Sequence, residues 1–221
     1  MVQWLVGGAG QGGVKATPVA VPAVVLAAGR ARRMGRPKLV LPLAGRPLIV
    51  KVVETLLAHT GDVWVITGAR SELVRAALAH LPVRCRHNPD HDRGMVTSVQ
   101  CGLRAAGRPG PWLICLGDQP GLTADTVREV IAMAVTAPGQ IAVPTWCGKG
   151  GHPILLPDAC YEEVLALPAT QGLDAVVKRD PHRVVRVPLP DRAVVEDVDT
   201  PEDYEREVQR HQAVGPGTGG A

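Results

Sequence analysis

Residues 23–38 have the sequence Ala23-Val24-Val25-Leu26-Ala27-Ala28-Gly29-Arg30-Ala31-Arg32-Arg33-Met34-Gly35-Arg36-Pro37-Lys38. The apolar run at its start is typical of a buried strand, and it ends in small residues. Five of the nine residues from Arg30 to Lys38 are basic. Because ligands of open α/β sheets bind beyond the carboxyl ends of the strands, this position predicts a ligand-binding loop. Small residues would let a nucleobase approach the backbone, and the basic side chains would neutralise a triphosphate. The alternative is a basic turn exposed to solvent, without a ligand.

Short apolar runs continue to alternate with helical segments along the chain. We expect further strands at Val63–Ile66, Trp112–Leu116 and Ile141–Val143. Amphipathic helices are expected at Leu48–His59, Ser71–His80, Met95–Ala106 and Thr123–Ala137. This alternation predicts a mostly parallel sheet with helices on both faces, a three-layer α/β fold. A looser pattern predicts an insertion that leaves the sheet at Gly148–Pro157, contains a helix at Asp158–Leu167 and returns at Arg183–Val187.

Composition excludes several classes of protein. The chain has 221 residues with 24 Lys and Arg against 21 Asp and Glu, and this near-neutral balance gives no indication of nucleic-acid binding. The five cysteines are scattered and odd in number, which argues against a disulfide framework or a zinc site and predicts reduced thiols in the cytoplasm. No apolar run reaches the roughly 18 residues of a membrane helix, so no membrane association is expected.

Both ends of the chain are rich in glycine. Residues 1–20 are expected to form a flexible extension and residues 212–221 a disordered tail, on either side of a single domain at residues 21–211. The segment Gly8–Gly13 matches the dinucleotide-binding pattern G-x-G-x-x-G, but two prolines follow where that pattern needs a helix. We therefore expect no dinucleotide site there.

Asp118 follows the most apolar of the expected strands, within Leu116-Gly117-Asp118-Gln119-Pro120. A carboxylate at a strand end is costly to desolvate unless it is paired or binds a cation, and Mg²⁺ takes one or two carboxylates together with substrate phosphates. Asp118 is therefore a candidate Mg²⁺ ligand. The alternative role, capping the next helix, is better filled by Thr123.

A second source of carboxylates lies near the end of the chain. Thr200 and Pro201 have the pattern of an N-cap and a first helical residue, which would leave Asp197 and Asp199 exposed at a strand end. Either of the two could complete the metal site. Together with the basic loop, these aspartates favour phosphoryl or nucleotidyl transfer, in which positioning and charge neutralisation dominate catalysis.

Two histidine patterns admit competing interpretations. His87 and His91 have the spacing of a helical metal pair, but Pro89 would break such a helix, so we expect loop residues. His152, between Gly151 and Pro153, either contacts an acceptor phosphate or is a turn histidine bonded to the backbone. A phosphate acceptor is already anionic at neutral pH, so the chemistry needs no histidine as general base.

Five motifs resemble those of the molybdenum cofactor cytidylyltransferases, a branch of the MobA-like nucleotidyltransferases. In chain order they are Leu26-Ala27-Ala28-Gly29 with the basic residues up to Lys38; Asn88, Gly94-Met95 and Ser98; Gly117-Asp118-Gln119-Pro120; Gly151-His152-Pro153; and Asp197-Val198-Asp199-Thr200-Pro201-Glu202-Asp203. The resemblance covers residues 21–207 and implies a Rossmann-like nucleotidyltransferase fold.

The resemblance also implies an activity and roles for single residues. It implies that CMP passes from CTP to the phosphate of molybdopterin with release of pyrophosphate, and that Mg²⁺ is the cofactor, held by Asp118 and Asp199. Lys38 and Arg33 would contact phosphates, and with Asp118 they form the expected catalytic set. The expected nucleotide contacts are Leu26, Ala27, Ala28, Gly29, Arg30, Gly35 and Ser98. Gly151 and His152 would face the acceptor, and a molybdenum hydroxylase or its chaperone is the expected protein partner.

Several alternatives stay open within the resemblance. The pair Ala27-Ala28 is similar to the cytidine-selecting form, whereas relatives that use GTP usually carry a glycine in this stretch. Relatives often have Gly-Asp-x-Gly-x-Arg where this chain has Ala169-Thr170-Gln171-Gly172-Leu173-Asp174. Another phosphorylated acceptor, or a non-catalytic nucleotide-binding accessory protein, is therefore an alternative. A third is an oxidoreductase of the nicotine-blue type, with a nicotinamide nucleotide in the same cleft.

Overall fold

Strand β1 (Ala23–Ala27) lies in the middle of the main sheet of the computed structural model, which describes residues 21–213. It pairs in parallel with β4 (Val63–Thr67) on one side and with β6 (Trp112–Leu116) on the other. Beyond β4, strand β5 (Arg84–His87) continues the parallel array. The apolar run that begins the basic stretch is therefore a central strand, and the loop after it starts at the carboxyl edge of the sheet.

The other half of the sheet is mixed. Strand β7 (Ile141–Trp146) is parallel to the edge strand β10 (Val184–Pro188), but β9 (Ile154–Leu156) lies between β6 and β7 and is antiparallel to both. Strand β8 (Lys149–Gly150) forms a short hairpin with β7. The strand order is β10-β7-β9-β6-β1-β4-β5.

The expectation that residues 148–157 leave the sheet is wrong. The chain turns back after β7 and re-enters the sheet at once as β9. The physical reason is that all three residues of β9 are apolar and buried, a pattern that suits a strand covered by helices on both faces.

The four main expected helices are present. They are α1 (Leu48–Leu57), α2 (Ser71–Ala77), α3 (Met95–Ala106) and α4 (Ala124–Thr136). The Thr123 side chain accepts a hydrogen bond from the Thr126 amide, as expected of the N-cap. The helix expected at Asp158–Leu167 is a 3-10 turn at Asp158–Cys160 followed by the short α5 (Tyr161–Leu165). The remaining elements are α6 (Asp174–Arg179), α7 (Pro201–Ala213) and a small hairpin of β2 (Pro42–Leu43) and β3 (Arg46–Pro47).

Alternate residues of the strands face the two helical layers. Val25 of β1 packs with α1, α2 and α4, whereas Val24 packs with α3, α5 and α6. This confirms the predicted three-layer α/β fold. None of the helices within residues 21–213 is both long and apolar enough to cross a lipid bilayer.

The expected chain ends are only partly described. Helix α7 runs to Ala213, so the first two residues of the expected C-terminal tail are helical. Residues 1–20 and 214–221, including the glycine pattern at residues 8–13, lie outside the described residues.

Gly102 lets α3 approach β1, and we expect Gly102→Ala to destabilise the fold. A Cβ atom at residue 102 would lie 2.2 Å from Cγ1 of the buried Val24. Overpacking costs about 1–3 kcal/mol, and an approach as close as 2.2 Å places it toward the upper end, above the gain of roughly 1 kcal/mol from replacing a helical glycine by alanine. Urea unfolding would measure the change. Gly61→Ala, where a Cβ meets open space, is the matched control and should leave the midpoint nearly unchanged; equal midpoints for the two variants would contradict the packing argument.

Candidate active site

A cavity of about 390 Å³ opens at the carboxyl ends of β1 and β6. Its wall includes residues 26–29 at the end of β1 and Leu116 at the end of β6. Arg32, Arg33 and Lys38 of the basic loop reach it from one side, and Ser98 of α3 reaches it from another. The loop after the central strand therefore borders a cavity, as its position in the sequence predicts.

Two tight turns shape the basic loop. The amide of Met34 donates to the Ala31 carbonyl at 3.2 Å, and that of Gly35 donates to the Arg32 carbonyl at 3.3 Å. Met34 is buried and anchors the loop. Ala31 has a φ of +51°, a left-handed conformation that costs a non-glycine residue about 1–2 kcal/mol. Backbone strain of this kind is typical of ligand-binding loops.

Lys38 joins two carboxylates from distant parts of the chain. Its Nζ donates to Asp118 Oδ2 at 2.5 Å and to Asp199 Oδ1 at 2.7 Å. Arg33 adds a further bond of 2.6 Å to Asp199 Oδ2. The basic loop, the end of β6 and the segment before α7 thus meet at one point. Asp118 and Asp199, which the sequence predicts to share a cation, do lie together.

The Lys38 side chain is only 12% exposed. Burial alone would lower the pKa of Lys38, but the charges of Asp118 and Asp199 outweigh it, so this pKa lies above its ordinary value. The ammonium therefore stays charged at neutral pH. Asp118 and Asp199 remain 20% and 29% exposed, so a ligand can reach both carboxylates from the cavity.

Backbone hydrogen bonds hold the second carboxylate in place. The Val198 amide donates to the Asp118 carbonyl at 2.9 Å, which docks the segment onto the end of β6. Oδ2 of Asp203 accepts from the amides of Asp199 and Thr200, at 3.1 and 2.8 Å. The Thr200 hydroxyl accepts from the Asp203 amide at 3.2 Å, as expected of the N-cap of α7.

The expectation that a strand precedes these aspartates is wrong. Residues 192–195 form a 3-10 turn that begins after Asp191, whose Oδ1 accepts from the Ala193 amide at 2.9 Å. This local side-chain bond to the backbone favours a turn over an extended strand. Asp197 also lines the cavity, and its Oδ1 accepts from Gln119 Nε2 at 2.8 Å rather than from Lys38. Desolvation of its carboxyl group and the nearby charge of Asp118 raise the pKa of Asp197.

Asp118 and Asp199 fit a divalent cation. Within residues 21–213 there is no group of three or more Cys, His, Asp or Glu side chains arranged to hold a metal ion. Two carboxylates alone match the way Mg²⁺ is bound together with substrate phosphates. The two side chains already gather around one cation, the Lys38 ammonium, so their geometry suits a positive charge between them.

Residues 23–184 match the MobA-like NTP transferase domain. This chain belongs to that family. It is a nucleotidyltransferase, and the resemblance of its motifs to the MobA-like nucleotidyltransferases is confirmed.

Several known proteins are similar to this chain over nearly their full lengths. Nicotine blue oxidoreductase from Paenarthrobacter nicotinovorans is 32% identical over 84% of this chain and 95% of that protein. Molybdenum cofactor cytidylyltransferase from Escherichia coli is 26% identical over 88% of this chain and 99% of that enzyme. The crystal structure of Rv0371c from Mycobacterium tuberculosis in complex with manganese has a TM-score of 0.73 and 26% identity, and covers 86% of this chain and 99% of that one.

Two nucleotide contacts expected from the MobA-like motifs do not line the cavity. Arg30 forms a two-bonded ion pair with Asp92, with Nε to Oδ1 at 2.6 Å, and this bonding holds the pKa of Asp92 below its ordinary value. Gly35 lies in the second turn of the loop with a φ of +65°. Ser98, by contrast, is buried at the cavity wall, where its Oγ accepts from Asn88 Nδ2 at 3.0 Å.

The structure adds cavity residues that motif analysis missed. Arg70 follows β4, and His91 and Asp92 follow β5. All three come after parallel strands and so lie at the carboxyl edge of the sheet. Applying that rule to the expected strand at Val63–Ile66 would have found Arg70, but β5 has a polar sequence and gave no strand signal.

Gly151 and His152 lie outside this cavity. The His152 amide donates to the Val194 carbonyl at 2.9 Å, so the segment packs against the 3-10 turn before Asp197. Burial lowers the pKa of His152 to about 4, so its side chain is neutral at physiological pH. His152 therefore brings no positive charge for an acceptor phosphate, and the backbone-bonded turn is the interpretation that the structure supports.

The half-buried His152 should make stability depend on pH. The unfolded protein binds a proton at this side chain near pH 6.5, whereas the folded protein binds it only near pH 4. The free energy of unfolding should therefore fall as the pH falls through this window, by up to about 1.4 kcal/mol per pH unit from this group. Urea midpoints at about pH 7 and pH 5 would test this. His152→Gln should reduce the difference between the two midpoints, whereas His80→Gln, at an exposed position, should not. An unchanged difference in His152→Gln would show that His152 is not the source of the pH dependence.

Proposed function

We propose that this protein is a Mg²⁺-dependent cytidylyltransferase that transfers CMP from CTP to the phosphate of molybdopterin or a related phosphorylated acceptor. The observation that carries the proposal is the position of Lys38 Nζ between Asp118 Oδ2 and Asp199 Oδ1, beside a basic loop at the end of the central strand. The similarity to the cytidylyltransferase of E. coli supports the choice of nucleotide and acceptor.

The proposed reaction needs charge neutralisation more than proton transfer. An oxygen of the acceptor phosphate attacks the α-phosphorus of CTP, the bond from that phosphorus to the β-phosphoryl oxygen breaks, and pyrophosphate leaves. The attacking oxygen is already anionic, so no side chain has to remove a proton. Lys38 and Arg33 would neutralise the charge that develops on the leaving pyrophosphate.

Asp118 and Asp199 would hold Mg²⁺, which when bound would supply charge neutralisation and alignment of the triphosphate. In the free protein their charges are balanced by Lys38 and Arg33. Binding a divalent cation would release these two basic groups for phosphate oxygens. The manganese complex of the similar M. tuberculosis protein supports a divalent cation in this fold.

The proposed preference for cytosine rests on Ala27 and Ala28. Both residues are buried and line the cavity. With the base bound against this wall, their methyl groups would leave less space for a purine than for a pyrimidine. Leu26, Gly29 and Ser98 would complete the nucleotide contacts from the same wall. A cytoplasmic location and a molybdenum hydroxylase or its chaperone as partner follow from this assignment and are part of the proposal.

A second candidate is an oxidoreductase of the nicotine-blue type. It is favoured by the 32% identity to the P. nicotinovorans enzyme over most of both chains. It would use the same cavity for a nicotinamide nucleotide. It predicts NAD(P)H oxidation with a dye-like acceptor and no release of pyrophosphate.

Pyrophosphate release decides between the two. With Mg²⁺, molybdopterin and CTP we expect stoichiometric pyrophosphate, and Asp118→Asn should lower kcat at least about a hundredfold because one of two cation ligands is lost. Asp125→Asn removes an exposed carboxylate on α4 and should leave the rate unchanged. Absence of pyrophosphate together with NAD(P)H oxidation would favour the second candidate, and CTP binding without either product would indicate an accessory protein.

Removing a methyl group at the cavity wall should relax the choice of base. We expect Ala28→Gly to raise the ratio of kcat/KM for GTP over CTP by about tenfold or more, because a single methyl group in a pocket discriminates by about 1–3 kcal/mol. Steady-state kinetics with both nucleotides would measure the ratio. Ala79→Gly, at an exposed position after α2, is the control. An unchanged ratio in Ala28→Gly would locate base selection elsewhere.

A further inference from the structure

Three parts of the chain meet at the carbonyl oxygen of Val194. It accepts from the His152 amide at 2.9 Å and from Gln119 Nε2 at 3.3 Å. The same Nε2 donates to Asp197 Oδ1 at 2.8 Å. Gln119 is only 2% exposed and follows Asp118 directly. Its amide group therefore links the first carboxylate to the segment that carries the second.

Gly151 allows this close approach. A Cβ atom at residue 151 would lie 1.8 Å from the Val194 carbonyl oxygen. The Gly151 amide also donates to the Pro144 carbonyl at 2.9 Å, which ties the turn to β7. The turn at Gly151 therefore connects β7 to Val194, the residue to which Gln119 also bonds.

The segment from Val194 to Asp199 is held at both ends and in the middle. Gln119 and His152 fix its beginning, the bond from the Val198 amide to the Asp118 carbonyl fixes its middle, and Asp203 fixes the Asp199 amide. Of these contacts at residues 194–198, Gln119 alone bonds through a side chain to both a carbonyl and a carboxylate. Removing the Gln119 amide group would take away the donor to Asp197 Oδ1. The Val194 carbonyl would then keep only one of these two bonds, the one from the His152 amide.

We infer that Gln119 is a positioning residue that sets the distance between the carboxylates of Asp118 and Asp199, and that Gly151-His152-Pro153 supports this linkage rather than binding the acceptor. The inference rests on the proposed function, in which these two aspartates hold Mg²⁺. A glutamine suits the role because its NH₂ group has two donors and no charge. A glutamate would add another negative charge beside Asp118 and Asp197.

The test uses Gln119→Leu, which keeps the size of the side chain and removes its donors. Mn²⁺ affinity is measured by electron paramagnetic resonance with CTP and without acceptor. We expect an affinity about 10- to 100-fold weaker, the usual effect of losing a group that orients a metal ligand. Amide hydrogen exchange over residues 195–200, measured without metal, should become faster.

Gln100→Leu is the matched control. Gln100 also donates through Nε2 to backbone carbonyls, those of Val164 at 3.0 Å and Leu167 at 2.9 Å, but it does not line the candidate active site. Its variant should lose stability while retaining Mn²⁺ affinity. Mn²⁺ affinity within twofold of wild type in Gln119→Leu, with unchanged exchange over residues 195–200, would overturn the inference.

A second variant covers the case in which Gln119→Leu does not fold. Gln119→Glu replaces the donor to Asp197 by a second carboxylate, and repulsion between the two should displace residues 194–199 and weaken Mn²⁺ binding. The double variant with Asp197→Asn restores an amide-to-carboxylate bond with reversed polarity. Partial recovery of affinity in the double variant supports the linkage, and no recovery opposes it. If the wild-type protein binds no Mn²⁺, the proposed function fails, and the positioning role of Gln119 is then tested by amide exchange. Faster exchange over residues 195–200 in Gln119→Leu would support that role, and unchanged exchange would overturn it.

Discussion

The site depends on one ammonium group held between two carboxylates. Asp118 and Asp199 are 81 positions apart in number, and like charges a few ångströms apart repel each other by about 4 kcal/mol at the effective dielectric constant of a protein surface. Lys38 removes that repulsion in the free protein. The basic loop, the end of β6 and the segment before α7 are therefore mutually dependent, because the loop contributes two positive charges to the cluster and the other two parts contribute one carboxylate each. Two carboxylates need two positive charges, which Lys38 and Arg33 supply in the free protein and which one divalent cation would supply under the proposed function.

Much of this arrangement could be predicted from the sequence because its signals are local. An apolar strand followed by small and basic residues, as at residues 23–38, identifies both a central strand and its ligand loop. Asp118 could be recognised because a carboxylate directly after a buried strand needs a partner. The N-caps at Thr123 and Thr200 follow from the same short-range chemistry. In each case the residues that decide the structure are close in sequence.

The features that could not be predicted depend on contacts between distant residues. Strand β9 has only three residues, and nothing in so short a run indicates that it inserts between β6 and β7. Strand β5 is a polar edge strand, so it lacks the apolar run by which the others are recognised. The resemblance of Gly151-His152-Pro153 to a family motif implies that His152 faces the acceptor, but its amide bonds to the Val194 carbonyl and desolvation keeps its side chain neutral. Whether such a motif binds a ligand or packs against another part of the chain depends on residues distant in sequence, and these cannot be identified from the motif itself.

Residues 169–174 differ from the related motif Gly-Asp-x-Gly-x-Arg, with an acidic residue, Asp174, at the position of the arginine. This change of charge does not reach the cavity. The backbone there packs against the N-terminus of α3, where a Cβ at Gly94 would lie 1.9 Å from the Ala169 carbonyl oxygen. Asp174, which replaces the basic residue of the relatives, pairs with Lys178 at 2.7 Å on the exposed face of α6 and does not line the cavity. Its negative charge is therefore balanced locally. Arg32 and Arg70 line the cavity without a carboxylate partner among residues 21–213, so under the proposed function they would attract a phosphorylated acceptor without a basic residue at position 174.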